Sequence, residues 1–467
     1  MNPAMKALAL VLPLLAAASA AAAVGPDYRR PDVPAPVAWK AAAGDGLPPA
    51  GTWWQLYDDA TLDALVQRAL AANQDLAAAA ARVEQARAAA GLARSQYLPS
   101  AALGASVDRS RVSEATDNRL PVAESTTHRA ALDASWELDL FGRVRRLHEG
   151  ARAAAAASAA DFAHVRLVLA AEVTSGYFTL RALDRELALV HDGVELRRRA
   201  LALVASRRQG GAATDFDLAR AEAELASTEA EAAALANRRA AAQNALAVLL
   251  GEPAPDFAVG PPAAAAVPPA IPAGLPSELL ERRPDIAAAE AQLAAANARI
   301  GVAKAAFFPA ISLTGSAGSA SGDLGRLFGT DARIWSIGPS LYLPVFQGGR
   351  NRANLARARA EWDENVARFR QRVLVAFQEV QDALTATQLL AEQDAAQARA
   401  VAAARRAADL AQARYDAGYV AYFEVIDAQR TVLGAERAAT QLDAQRLLAS
   451  VGLFKALGGG WDAPAVN

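Results

Sequence analysis

At 467 residues, 53% of them hydrophobic, the chain is long enough for two to four domains and a sizeable core. Lys+Arg 48 against Asp+Glu 50 gives a formal net charge of -2 with no basic stripe, which argues against nucleic acid as a partner. Cysteine is absent, so an exported chain of this kind is expected to be held by packing or oligomerisation and not by disulfides.

Residues 1–20 read as a signal peptide. Lys6 supplies the positive start, Ala7 to Leu15 the apolar core and Ala18-Ser19-Ala20 a small-residue cleavage site. The alternative is an uncleaved anchor, for which the apolar run is short. No other run of about 18 uncharged apolar residues occurs, so no spanning helix is expected. Residues 21–61 form an extended, proline-punctuated segment that includes Trp53 and Trp54, expected as core anchors.

A helix is predicted over 62–98, with Thr61 as N-cap and Leu62, Leu65, Val66, Ala69 and Leu70 at helical spacing. It runs to about Tyr97 and stops at Pro99. The period then changes from helical to two over 99–141. Leu103, Ala105 and Val107 share one face, as do Ala130, Leu132, Ala134, Trp136, Leu138 and Leu140, while Arg129, Asp133, Ser135, Glu137 and Asp139 share the other. This is a β-hairpin with one apolar and one polar face. Residues 142–250 are predicted as a helical hairpin whose first arm, about 65 residues without proline, would span about 97 Å.

After a Pro/Ala-rich linker at 251–277, the pattern recurs. A helix is predicted over 278–308, a second hairpin over 309–347 and a second helical hairpin over 348–457, before a glycine-rich tail at 458–467. In the second β-hairpin Ile311 and Leu313, then Ile337, Pro339, Leu341, Leu343 and Val345, form the alternate apolar rows. The two halves match residue by residue. At an offset of about 207, Arg207, Gly211, Phe216, Asp217, Leu218 and Ala221 line up with Arg414, Gly418, Phe423, Glu424, Val425 and Ala428. The unit of about 200 residues is far longer than a solenoid repeat and is a duplication.

The hairpins carry the functional inference. Strands of about 10 residues with an apolar outer face and a polar inner face suit a transmembrane barrel, because only a closed sheet satisfies every backbone group in lipid. Four strands cannot close a barrel and the smallest have about eight, so the barrel must be shared between chains. Trp136, Trp335 and Tyr342 are candidates for the lipid–water boundary, and Phe141 and Phe346 for packing at the barrel base.

The marks Gly25-Pro26-Asp27-Tyr28, Trp53-Trp54 with Asp58, Asn73 with Asp75-Leu76, Tyr97-Leu98-Pro99, Trp136 through Gly142, Arg282-Arg283-Pro284-Asp285-Ile286, Phe307-Phe308-Pro309 and Phe346 through Arg350 occur in a fixed order. With them the chain resembles the TolC-like outer-membrane efflux proteins, in the branch serving drug and solvent efflux pumps. The resemblance implies a mixed α and β fold. Four strands per chain build a trimeric outer-membrane β-barrel, continued by a long periplasmic α-helical barrel. It implies a homotrimer in outer-membrane lipid that works with a periplasmic adaptor (membrane fusion) protein and an inner-membrane pump. Members of this branch usually carry a lipidated cysteine before the Gly-Pro-Asp-Tyr motif; here Ala21-Ala22-Ala23-Val24 stands there, so insertion is expected to rest on the barrel alone.

By the same resemblance, charged and aromatic residues near the periplasmic helix ends close the duct, and the matching positions are Arg414, Tyr415, Phe423, Asp427 and Arg430. A threefold ring of Asp427 at a constriction would favour cations. The plainer alternative makes Asp427 and Arg430, three apart on a helix, a solvated pair worth about 0.2–0.5 kcal/mol. Arg207, Asp215 and Asp217 are weaker gate candidates, with turn and helix-cap roles the simpler expectation. No cofactor, metal site or catalytic constellation is expected, since His128, His148, His164 and His191 lack metal-ligand spacing. An efflux channel is the reading that follows. The alternatives are a channel for type I protein secretion and a periplasmic coiled-coil scaffold, the latter at odds with the amphipathic hairpins.

Overall fold

A computed structural model of the chain describes residues 23–40, 51–113, 115, 123–260, 266–274, 276 and 281–461. The expected signal peptide, parts of the 21–61 segment and the Pro-rich linker, most of the first hairpin loop and the last six residues of the tail lie outside the described residues. The elements taken up below are α1 (Ala60–Ala72), α2 (Gln74–Ser95), β1 (Ser100–Arg111), β2 (Glu124–Leu138), α3 (Arg143–Gln209), α4 (Asp215–Leu249), α5 (Pro284–Ala305), β3 (Ala310–Ser321), β4 (Arg333–Tyr342), α6 (Arg350–Asp416) and α7 (Tyr422–Ala456). The duplication is visible in their lengths: α3 and α6 have 67 residues each, and α4 and α7 have 35 each.

Two compact units partition these elements. One comprises Met1–Asp32, Arg82–Ala159 and Ala288–Arg370; the other comprises Val33–Ala81, Ala160–Ala287 and Gln371–Asn467.

The first unit holds a four-stranded antiparallel sheet in the order β1-β2-β3-β4, the two hairpins side by side. Its register turns the alternation of each strand into a common face. Leu103 pairs Leu132, which pairs Ala317, which pairs Trp335. Ala101, Ala134, Gly315 and Ile337 form the next such row, followed by Trp136, Leu313 and Pro339, and then by Leu138, Ile311 and Leu341. A slip of one residue in any strand would turn its apolar side chains onto the opposite face, so this pattern itself fixes the register. At the helix-bearing end of the sheet Trp136 donates through Nε1 to the Tyr97 carbonyl at 2.9 Å, and Phe141 stacks on Phe308 at 4.9 Å. Phe346 departs from the expected packing: it is 90% exposed within the chain.

An N-terminal strap lies along the same unit. Its Val24 amide donates to the Phe141 carbonyl at 3.1 Å, Asn297 Nδ2 donates to the Pro26 carbonyl at 2.9 Å, and Asp27 pairs with the buried Arg146 at 2.7 Å. Tyr28 donates to Glu290 at 3.3 Å and packs edge-on against Trp362. Burial and the Glu290 carboxylate push the Tyr28 hydroxyl well above its ordinary titration range. The Gly-Pro-Asp-Tyr motif is thus a set of anchors for an extended segment with no secondary structure of its own.

The second unit holds the main core. Trp53 and Trp54, 1% and 3% exposed, sit with Tyr57, Leu62, Val66, Tyr177, Phe178, Leu246 and Phe454. Trp53 stacks on Phe454 at 5.0 Å, and Tyr57 shares a hydrogen bond with Ser450 at 2.6 Å.

The predicted helix over 62–98 is two helices, broken at Asn73. There the backbone turns extended, the side-chain oxygen accepts from the Leu76 amide at 2.9 Å, and Nδ2 donates to the Leu249 carbonyl at 2.9 Å. Asn73 competes with helical continuation by offering the backbone local hydrogen bonds. The N-cap of α1 is Asp59 instead of the expected Thr61, its carboxylate accepting from the amides of Thr61 and Leu62. Among the described residues, α3 alone is long and apolar enough to cross a membrane by length and composition, although it lacks an uncharged run of that length. Its apolar stretch is rich in alanine, a side chain that lets neighbouring helices approach closely.

Candidate functional site: the sheet faces and the helical turns

Two surfaces answer to the sequence expectations. The first is the face of the sheet opposite the apolar rows. Asp133 pairs Ser316, which pairs Ser336; Ser135 pairs Thr314, and Glu137 pairs Ser312, which pairs Ser340. Arg129 donates to Asp133 at 3.2 Å and to Ser316 Oγ at 2.9 Å along this face. One face is therefore apolar and the other carries hydroxyls and compensated charge. β1 and β4, at the ends of the order, each leave one backbone edge unpaired within the sheet. Such edges pair with another strand or stand as a liability.

The second surface lies in the second unit, where α3 turns into α4 and α6 turns into α7. The two turns are built alike. Gly211 and Gly418 both adopt positive φ, at 73° and 79°. In the first turn the amides of Gly211 and Ala212 donate to the carbonyls of Arg208 and Arg207; in the second those of Gly418 and Tyr419 donate to Tyr415 and Arg414. These paired bonds close the last helical carbonyls, and only glycine takes the left-handed conformation without a Cβ penalty. Downstream, Thr214 caps α4 in a capping box with Asp217. Hydrogen bonds from the backbone and hydroxyl of Thr214 hold the Asp217 carboxyl below the usual carboxylate range.

The side chains around these turns form a linked cluster. Tyr415, 7% exposed, lies beneath the Arg207 guanidinium, 4.5 Å from its ring centre, accepts a hydrogen bond from it, and leans on Tyr422 at 5.3 Å. Arg220 lies over the Phe423 ring at 4.1 Å, and Arg414 approaches Glu424 at 3.8 Å. Arg430 donates through Nε to Glu224 at 2.9 Å and through a second nitrogen to the same carboxylate. Arg197 stands 3.9 Å from the same carboxylate. Burial lowers the Arg197 pKa, the Glu224 carboxylate opposes that shift, and the nearby Arg430 adds to it.

Four of the expected residues, Arg207, Tyr415, Phe423 and Arg430, thus take part in contacts that cross from one hairpin to the other. The solvated Asp427–Arg430 pair does not form, because Arg430 is taken by Glu224. Asp427 is exposed and has no ion pair among the described residues. Asp215 pairs with Arg208 and Asp217 serves the cap, the local roles expected of them. The sequence reading missed Glu224, Arg197 and Arg220. A signal existed for Arg220, which occupies the repeat position of Asp427. For Glu224 the only hint was its place seven residues after Asp217, two helical turns along one face of α4.

Comparison with known proteins covers nearly the whole of the chain. Residues 65–252 and 275–459 match the family model for outer membrane efflux protein, two blocks that correspond to the two halves of the duplication. The chain is 39% identical to outer membrane protein OprJ of Pseudomonas aeruginosa, over 96% of this chain and 95% of that protein. It is 34% identical to the toluene efflux pump outer membrane protein TtgF of Pseudomonas putida, over 94% of each. Among solved structures, the outer-membrane channel OprN superposes with a TM-score of 0.87 at 35% identity, covering 94% of this chain and 100% of that one. The chain belongs to the outer membrane efflux protein family, and it is an outer-membrane channel component of efflux and not an enzyme.

Proposed function

We propose that three copies of this chain close a twelve-stranded outer-membrane barrel continued by a periplasmic helical duct. This trimer is the passive exit for drugs, solvents or other small molecules driven by an inner-membrane pump through a periplasmic adaptor. The observation that carries the proposal is the four-stranded sheet with its apolar rows on one face, two of them continuous from β1 to β4, while both edges stay open. In lipid an open edge leaves backbone groups unsatisfied at several kcal/mol each, so neighbouring copies must supply the missing pairings. Eight strands enclose only side chains, whereas a wider ring leaves an aqueous channel lined by the Asp133, Ser316 and Thr314 face. The solvent and drug classes follow from relatives such as the toluene efflux pump protein TtgF.

The gate is assigned to the cluster at the helical turns: Arg207, Tyr415, Phe423 and Arg430 as links between hairpins, Arg414 with Glu424 beside them, and Asp427 as an exposed carboxylate repeated around the axis. Asp215 and Asp217 secure the first turn. Opening then means exchanging the Arg430–Glu224 and Arg207–Tyr415 links for others, a two-state change biased by the adaptor. Conductance of the purified protein in a planar bilayer, beside Asp427→Ala, tests both parts. Small cation-preferring currents that lose selectivity in the variant are expected. Unchanged selectivity would remove Asp427 from the constriction, and no current from either inserted protein would mean a duct closed in the isolated trimer, with Asp427 not the group that holds it shut.

A further inference from the structure

Beyond the apolar rows, the same face of the sheet changes character toward the loop-bearing end. Arg109 pairs Thr126 and Arg111 pairs Glu124 in register with Leu103–Leu132 and Ala105–Ala130, so strand parity puts both arginines on the apolar face. Arg333 pairs Ser319, which pairs Ala130, and belongs to that face as well. His128, opposite Val107, lies in the row between. The one described carboxylate in this group, Glu124, is shared by Arg109 at 3.1 Å and Arg111 at 3.3 Å. Arg333 is exposed and has no ion pair among the described residues. Two residues further along β4, Trp335 is 78% exposed on the same face. Arg129, the arginine of the polar face among the described strand residues, is arranged differently, since it has Asp133 to itself.

We infer that this cationic rim binds the phosphorylated headgroup of an anionic lipid in the outer leaflet. The inference rests on the barrel reading above, which turns the apolar face to lipid. The helices leave the sheet at the Ser100 and Leu138 end, so the rim lies at the opposite, external end of the strands. A guanidinium pairs phosphate bidentately and keeps its charge at any ambient pH. Placed just above a hydrocarbon band and beside an exposed indole, it meets a lipid whose acyl chains cover Trp335 and Ile337 while its phosphate meets Arg333 or Arg109. Arg109 and Arg333 stand on the two open edges, β1 and β4. Closure of the ring brings the β1 edge of one copy to the β4 edge of the next, so each joint between copies gains cationic groups from both. The lipid is thereby an intermolecular clip as well as a solvent.

The test uses the full-length trimer in detergent, with a bis-phosphorylated disaccharide lipid as probe and native mass spectrometry as readout. Wild-type protein is expected to retain the lipid, its dephosphorylated form to bind at least tenfold more weakly, and the Arg109→Gln/Arg333→Gln double variant to lose at least tenfold in retention. Arg129→Gln, on the opposite face, is expected to retain it as wild type does. Equal retention by the double variant, or equal loss in Arg129→Gln, overturns the inference. Displacement of the lipid by inorganic phosphate at equal concentration assigns the rim to a free anion and overturns the lipid assignment. Oligomer mass and bilayer conductance of the wild-type preparation are read separately, so a failure of the trimeric channel is distinguished from a failure of lipid binding.

Discussion

Replacing Glu224 by glutamine removes the one carboxylate that Arg430 and Arg197 share. The side chains of Glu224 and Arg197 are 13% and 11% exposed, whereas that of Arg430 is 49% exposed. The limb to Arg430 is thus close to a surface pair, worth about 0.2–1 kcal/mol. The limb to Arg197 differs in kind, because the substitution strands a largely buried guanidinium. Breaking a buried pair costs about 3–5 kcal/mol, a figure to be reduced here since the two groups are 3.9 Å apart and Arg197 keeps some contact with water. A combined cost of about 1–3 kcal/mol remains, falling on the contacts of α4 with α3 and α7 and not on the distant core. Hydrogen exchange of the amides beside Glu224 and Arg430 reads this local opening directly, and about 1–3 kcal/mol corresponds to roughly 5- to 150-fold faster exchange. Arg430→Gln, which leaves Glu224 with Arg197, is expected to accelerate exchange by less. If Glu224→Gln exchanged within twofold of wild type, or if Arg430→Gln exceeded it, the shared carboxylate would not be the link that holds the two hairpins.

Thr214→Ala removes a capping hydroxyl and is expected to destabilise the first turn of α4 by about 0.5–2 kcal/mol, seen as faster exchange at residues 215–218 and not in α7. Because the folded Asp217 carboxyl is held below its ordinary value, its contribution is complete above the ordinary carboxylate range. It fades as pH falls through the lowered value; protection at this turn, taken relative to the unstructured rate at the same pH, should therefore drop on acidification in the wild type and respond less in Thr214→Ala. Trp53→Ala, at a side chain 1% exposed and stacked on Phe454, is expected to cost about 3–5 kcal/mol and to lower the thermal resistance of the second unit, checked by loss of near-ultraviolet circular dichroism at lower temperature.

Much of this molecule was legible because its signals are long and repeated. The hairpins announced themselves by period two, and the turns before α4 and α7 by a glycine repeated at the same place in both halves. The exceptions are local. The break at Asn73 escaped detection because alanine-rich sequence on both sides reads as helix; it comes from a side chain that accepts from the Leu76 amide and donates to the Leu249 carbonyl, 176 residues away. Asp59 took the cap from Thr61 because its carboxylate reaches two amides at once. At the turns, Tyr415 and its partner Arg207 were both legible, but the partner of Arg430 was not, since which carboxylate on α4 faces Arg430 depends on how two helices rotate against each other. Asp427 is expected from sequence at a constriction, with a solvated pair to Arg430 as the plainer alternative; that pair does not form, because Arg430 binds Glu224 instead.

Duplication followed by divergence has one further consequence. Arg220 and Asp427 occupy the same place in the two halves, Arg220 lying over Phe423 and Asp427 exposed four residues beyond that ring. Six identical hairpins would repeat one charge six times around an axis, and the resulting mutual repulsion would work against any tight closure. Under the gate proposed above, a duplicated chain repeated three times would alternate the sign from hairpin to hairpin. A constriction built this way would attract itself shut, yet keep a threefold set of carboxylates to greet a cation, which a strictly sixfold ring could not combine.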